Sequence, residues 1–139
     1  LHYYGGNYSS GTSLDGRLIS PAGIVIADNN YDYARSMVRS DTGEYDSYGA
    51  NGSYFRSFGE VGHTFSGTAW IINPFNSASY TFVINQNAGG LSGGSTFFGM
   101  KHTSVHTDFI SATGMNFFTD NTSATIDITV RAYGLRVDS

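Results

Sequence analysis

Several residue groups in this 139-residue chain have types and spacings that chemistry uses. His102 and His106 stand four apart, a spacing that on a helix lets two imidazoles share a zinc ion. Thr103, Ser104 and Val105 lie between them and disfavour a helix. On an extended strand the two histidines sit roughly 13 Å apart, too far to share an ion. They read as polar surface or interface histidines, and no metal site is expected. Gly90-Leu91-Ser92-Gly93-Gly94 fits the G-x-S-x-G pattern of a nucleophile elbow. That elbow needs a buried strand before it and a helix after it. Here both flanks are Gly, Ser and Asn, so the stretch reads as a hairpin loop. No Gly-Lys-Ser/Thr follows, so it is no phosphate loop either.

Asp41, Glu44 and Asp46 form the densest acidic cluster, with Asp28 and Asp32 upstream. Paired carboxylates hydrolyse glycosidic bonds, and several together hold calcium. The central Gly and terminal Glu of a calcium loop are missing, and turn-forming and solubilising roles account for these acids. No catalytic residue and no cofactor is expected. The tyrosines carry more information. Tyr3, Tyr4 and Tyr8 sit beside Gly and Ser, as do Tyr45, Tyr48 and Tyr54, while Tyr31 and Tyr33 flank Asp32. Tyr in a polar loop supplies flat contact area at low entropic cost, with an adaptable hydroxyl. Such rings stack on sugars, pack on a neighbouring subunit, or close the end of a sandwich. Tyr31, Tyr33, Tyr45 and Tyr48 are the candidate contact residues, read as loop tyrosines.

The elements that must position these groups are strands. Residues 1–16 read as a poor strand and then a loop. Residues 17–20 and 23–28 are short β-branched runs around Ser20-Pro21-Ala22-Gly23, which suits two strands and a tight turn. Residues 31–39 fit no single period, and residues 41–52 read as a loop in which Asn51-Gly52 is a hairpin signal. Strands are expected over 53–58, 67–73, 79–86, 96–102, 114–119 and 124–134, with a glycine-rich loop over 88–95. Within 79–86, Tyr80, Phe82 and Ile84 share a face. In the last strand Ile126, Ile128, Val130 and Ala132 face one way, as in a half-buried antiparallel strand. Short strands separated by turns imply two packed sheets, because one open sheet would leave an apolar face wet. The expected fold is an all-β, jelly-roll-like antiparallel β-sandwich, a single domain over residues 1–139.

Composition narrows the function. Charged residues make up 13 % and aromatics 15 %, with ten Tyr, ten Phe and 18 Gly. Disorder wants few aromatics and many charges, so this chain folds. The net charge is -4, and seven basic residues are scattered, Lys101 being the sole lysine. That argues against nucleic acid and against a membrane surface, both of which need clustered cations. No apolar run is long enough to span a bilayer. Without cysteine there is no disulfide, thiol nucleophile or thiolate metal site. Asn7-Tyr8-Ser9, Asn51-Gly52-Ser53 and Asn121-Thr122-Ser123 match the glycosylation pattern, as chance allows in a chain rich in Asn, Ser and Thr. The start lacks both Met and a signal-peptide pattern, so the chain is expected to be processed or cut from something longer.

Three stretches together point to a family. One is Arg17-Leu18-Ile19-Ser20-Pro21-Ala22-Gly23 followed by Asn30-Tyr31-Asp32-Tyr33-Ala34. Another is Phe65-Ser66-Gly67-Thr68-Ala69-Trp70-Ile71-Ile72-Asn73-Pro74-Phe75 leading to Ser79-Tyr80-Thr81. The last is Gly114-Met115-Asn116-Phe117-Phe118 running into Ile128-Thr129-Val130-Arg131-Ala132-Tyr133-Gly134-Leu135. Over residues 14–136 the chain resembles the β-sandwich structural domains of tail or fibre proteins of tailed bacteriophages, marine ones in particular. Such domains carry an Asn-Pro strand end midway and close on a Tyr-Gly-hydrophobic triplet. Their motifs are structural, and no catalytic residue carries over.

The resemblance implies a non-enzymatic virion protein of a tail, fibre or capsid appendage, located in the extracellular particle and serving assembly and contact with a host surface. It implies a homo-oligomer, a trimer first, with other virion proteins and a host-surface glycan as further partners. Related chains carry a further strand before the position of Leu1, so an upstream segment or a neighbouring subunit is expected to supply one. The low lysine content agrees with sheet edges covered by symmetric neighbours. The alternative is a carbohydrate-binding β-sandwich module of a secreted or surface protein, with its aromatic tyrosines clustered on one exposed face. A third reading, a polysaccharide depolymerase, needs two carboxylates facing each other across a cleft.

Overall fold

Two antiparallel sheets hold almost all the regular structure. The computed structural model describes residues 1–6, 13–59, 64–90, 95–121 and 126–134. The whole of the first glycosylation pattern with its Tyr8, Leu91–Gly94 of the elbow-like motif, Thr122 and Ser123 of the third glycosylation pattern, and Leu135 lie outside the described residues. Among the described residues there are ten strands: β1 (His2–Gly6), β2 (Leu14–Ile19), β3 (Tyr31–Arg39), β4 (Gly43–Gly52), β5 (Phe55–Gly59), β6 (Thr64–Ile72), β7 (Thr81–Gly90), β8 (Phe97–His106), β9 (Gly114–Thr119) and β10 (Asp127–Arg131). The larger sheet runs β10-β1-β6-β7-β8-β3-β4 and the smaller β5-β2-β9.

The winding is that of a jelly roll. β1 pairs with β10, β2 with β9 and β3 with β8, so the pairings are nested. They alternate between the sheets, with β2 and β9 in the smaller and the other two pairs in the larger. A doubled-back chain rolled around a core gives this result. β6 and β7 widen the larger sheet between β1 and β8.

Inward side chains close the gap between the sheets. Tyr3, Leu14, Leu18, Tyr31, Phe55, Phe58, Phe65, Val83 and Met100 belong to one buried cluster. Aromatic edges organise it: Tyr31 meets Phe55 at 4.8 Å and Phe58 meets Phe117 at 5.2 Å, both T-shaped. Each such ring contributes roughly 1.5–3 kcal/mol by burial. The three-stranded sheet is about 10 Å across between its outer strand axes, against about 29 Å for the seven-stranded one. Residues from outside the strands therefore help to seal the core, with Ile26, Ile110 and Ala112 joining the same cluster.

Local chemistry sets the turns. Asn73 sits in the left-handed region (φ 59°), which Asn tolerates, and Pro74 then removes a ladder amide. β6 ends there. Gly43 takes φ 79° after the β3–β4 turn, where a side chain would be strained.

Three expectations need correction. Within 41–52 only residues 41–42 are a turn; residues 43–52 form β4, a full edge strand paired only with β3. Its Gly, Ser and Tyr composition hid it, because an edge strand buries little. Asn51-Gly52 is not a two-residue hairpin turn either, since β4 and β5 lie in different sheets. Residues 23–28 form no strand; a single bridge, Ile19 to Val25, joins them to β2.

Candidate binding face

The sequence candidates separate in space. Tyr31 is fully buried in the core. Its hydroxyl donates to the Ile26 carbonyl at 2.8 Å and accepts from the Leu18 amide at 3.2 Å. Burial raises its pKa to about 12. It is a core residue, not a loop contact. Tyr33, Tyr45 and Tyr48 are strand residues too, on β3 and β4. Tyr33 and Tyr45 share the face of Tyr31, in a wing where the smaller sheet does not cover β4. Arg56 lies over Tyr33 at 5.8 Å and Arg35 over Tyr45 at 5.6 Å. Tyr48 alone stands on the opposite face, 87 % exposed. The four therefore form no single cluster.

The other candidates resolve into structural partnerships. His102 and His106 are buried on β8 rather than on the surface. Ser104 Oγ lies 3.2 Å from His102 Nε2, and Asp28 Oδ1 lies 3.0 Å from His106 Nε2. Burial, followed by the charge of Arg35, lowers the His102 pKa to about 4. Of the acids, Asp41 is paired with Arg39 at 2.8 Å, and the Asn51 amide donates to Asp32 at 2.8 Å. Glu44 and Asp46 stand exposed on β4. Among the described residues no group of three or more His, Asp or Glu could hold a metal ion.

The unexpected feature lies in the middle of the larger sheet. Inward positions of β7 and β8 are largely polar: Thr81, Asn85, Asn87, His102, Ser104 and His106 are all buried. They are engaged by neighbours; the Tyr3 hydroxyl donates to Asn85 Oδ1 at 2.5 Å, and Asn87 Nδ2 donates to the Phe58 carbonyl at 3.1 Å. Burial drives the Tyr3 pKa far up, so the ring stays neutral. Toward one end of the sheet the outward positions are apolar instead. Trp70 pairs with Ile84, and Ile72 with Phe82, all facing away from the core. Tyr80 stacks on Phe109 at 4.9 Å beside them.

Register divides this outer face into bands that cross the strands. One band is polar over all seven strands. Arg131 is opposite His2, His2 opposite Thr68, and Thr68 opposite Gln86. Gln86 is opposite Lys101, Lys101 opposite Ser36, and Ser36 opposite Asp46. On one side stands the band of Trp70, Ile84, Thr103, Ala34 and Tyr48. On the other Tyr4 is followed by Ser66, Ala88 and Gly99, three residues with little or no side chain. Two shallow depressions of about 540 and 550 Å³ open on the polar band. Tyr4, Trp70, Gln86 and Arg131 border the first; Tyr48, Ile84, Lys101 and Asp46 border the second. Beyond Trp70 and Ile84 the face ends in the apolar patch of Ile72, Phe82, Tyr80 and Phe109.

Sequence reasoning missed Tyr4 and Trp70 as site residues. Trp70 lies in the strongest strand pattern, which reads as core. The alternation in β6 and β7 is real, but only cross-strand register and the position of the second sheet say which parity faces out. No family model, no curated protein and no solved structure matches this chain.

Proposed function

We propose that this chain is a non-enzymatic structural domain of a virion appendage (a tail, fibre or capsid-attached part) that works by assembly and by contact with a host surface. The observation that carries the reading is the exposed apolar end of the outer face, where Ile72, Phe82 and the Tyr80–Phe109 stack stand in water. An exposed patch of large apolar side chains on a soluble domain marks a contact surface. Here it coincides with the sequence resemblance to phage tail and fibre domains, while His102, His106 and Asp41 are engaged by neighbouring groups of the fold. Covering that patch with a copy of the chain makes a homo-oligomer, and a trimer is the form the resemblance favours.

The test is sedimentation velocity of the purified chain beside Phe82→Glu. Phe82 is 37 % exposed on the outer face, so the charge leaves the core intact. The wild type is expected to sediment as an oligomer and Phe82→Glu as a folded monomer. Equal sedimentation of the two would remove the patch from the assembly.

A further inference from the structure

The outer face holds a second surface whose chemistry differs from that of the apolar patch. The polar band crosses all seven strands, so pressing it flat against another protein sheet would bury a row of amide, hydroxyl and charged groups, each costly unless partnered. The two depressions on it are too open to enclose a small apolar ligand, which needs most of its surface covered. They suit an extended ligand that is itself flat and rich in hydroxyls. Tyr4 and Trp70, 53 % and 46 % exposed, stand on either side of the first depression with Ser66 and Thr68 in its lining. Aromatic faces next to short polar side chains match the two aspects of a pyranose, apolar C–H faces and a hydroxyl rim.

Charge narrows the ligand further. Among the described residues, Arg17 donates to the Ser53 carbonyl, Arg35 to Ser47 and Arg56 to Tyr54, and Arg39 pairs with Asp41. The two remaining described cations, Arg131 and Lys101, have no hydrogen-bond or ion-pair partner among the described residues. Both stand on the polar band, four strand spacings or about 19 Å apart. Asp46 lies beyond Lys101, at the β4 end.

We propose that the span of the polar band from Arg131 to Lys101 binds a linear acidic glycan, stacked on Tyr4 and Trp70 with its carboxylates or sulfates held by the two cations. The glycan crosses the strands, and Asp46 repels its acidic groups at the far end. This deepens the surface-contact part of the proposed function and rests on it; the assembly part uses the separate apolar patch.

Trp70 is the single tryptophan of the chain, so its emission reports on this site alone. The experiment titrates the full chain with an oligogalacturonate and with a neutral cello-oligosaccharide of equal length, by tryptophan fluorescence and calorimetry. The acidic oligosaccharide is expected to shift the emission saturably and to bind at least about tenfold tighter than the neutral one, the margin weakening with salt. Tyr4→Ala is expected to weaken binding about tenfold, and Arg131→Ala to erase the preference for the acidic ligand. Absence of binding, equal affinity for the neutral ligand, or full affinity in Tyr4→Ala would overturn the proposal. Native mass measured on the same sample separates the two claims. An oligomer that ignores the acidic glycan sinks only this inference, and a monomer that binds it sinks only assembly.

Discussion

Among single residues, His102 makes the clearest prediction. Its imidazole is buried between the sheets, and burial with the Arg35 charge lowers its pKa to about 4. In an unfolded chain the group titrates near 6.5. Between those values the unfolded state binds a proton that the folded state refuses. The stability this residue secures is therefore whole above about pH 6.5 and declines as the pH falls toward 4, with a slope approaching about 1.4 kcal/mol per pH unit. Urea unfolding at about pH 7.5, 6 and 5 measures it. His102→Gln is expected to flatten the decline, and an unchanged slope in that variant would show that other groups set the acid sensitivity. The spacing of His102 and His106 was legible as unsuited to a shared ion on a strand. Their burial was not, because polar residues at inward positions are rare and only their partners reveal them. Tyr31 is the same case reversed: its flanking Asp32 made a contact residue plausible, yet its neighbours are Phe55, His106 and the Leu18 amide.

At the level of elements, the glycines of the larger sheet separate packing from propensity. A Cβ on Gly67 would collide with the Tyr3 ring and with Asn87 Cβ. One on Gly99, also within the sheet, would meet nothing within 4 Å. Gly67→Ala is therefore expected to cost about 1–3 kcal/mol through overpacking. Gly99→Ala should be neutral or slightly stabilising, because a strand gains when glycine is removed. Paired denaturation curves check both, and equal effects would mean that the Tyr3–Asn85–Asn87 network tolerates displacement. Strand positions in the second half of the chain were readable from alternation in β6, β7, β8 and β10. What alternation cannot supply is direction. Tyr80, Phe82 and Ile84 share one face as expected, but Thr81, Val83, Asn85 and Asn87 are the residues that turn to the core. β4 escaped notice for a related reason: Gly43, Ser47, Gly49 and Gly52 give an edge strand no apolar period to detect.

For the whole molecule, the nested pairing of β1 with β10, β2 with β9 and β3 with β8 explains why the sandwich was inferable while its strand order was not. Turn signals every few residues announce short strands, but the partners of each strand lie far away in sequence. The same winding leaves one sheet much wider than the other, and the outer face of the wide sheet carries the apolar patch. That patch is the physical ground for the proposed assembly, and native mass tests it most directly. Light scattering behind a sizing column should give a closed oligomer, first of all three times the 15.0 kDa chain mass. A stable monomer across the accessible concentrations would contradict the assembly reading.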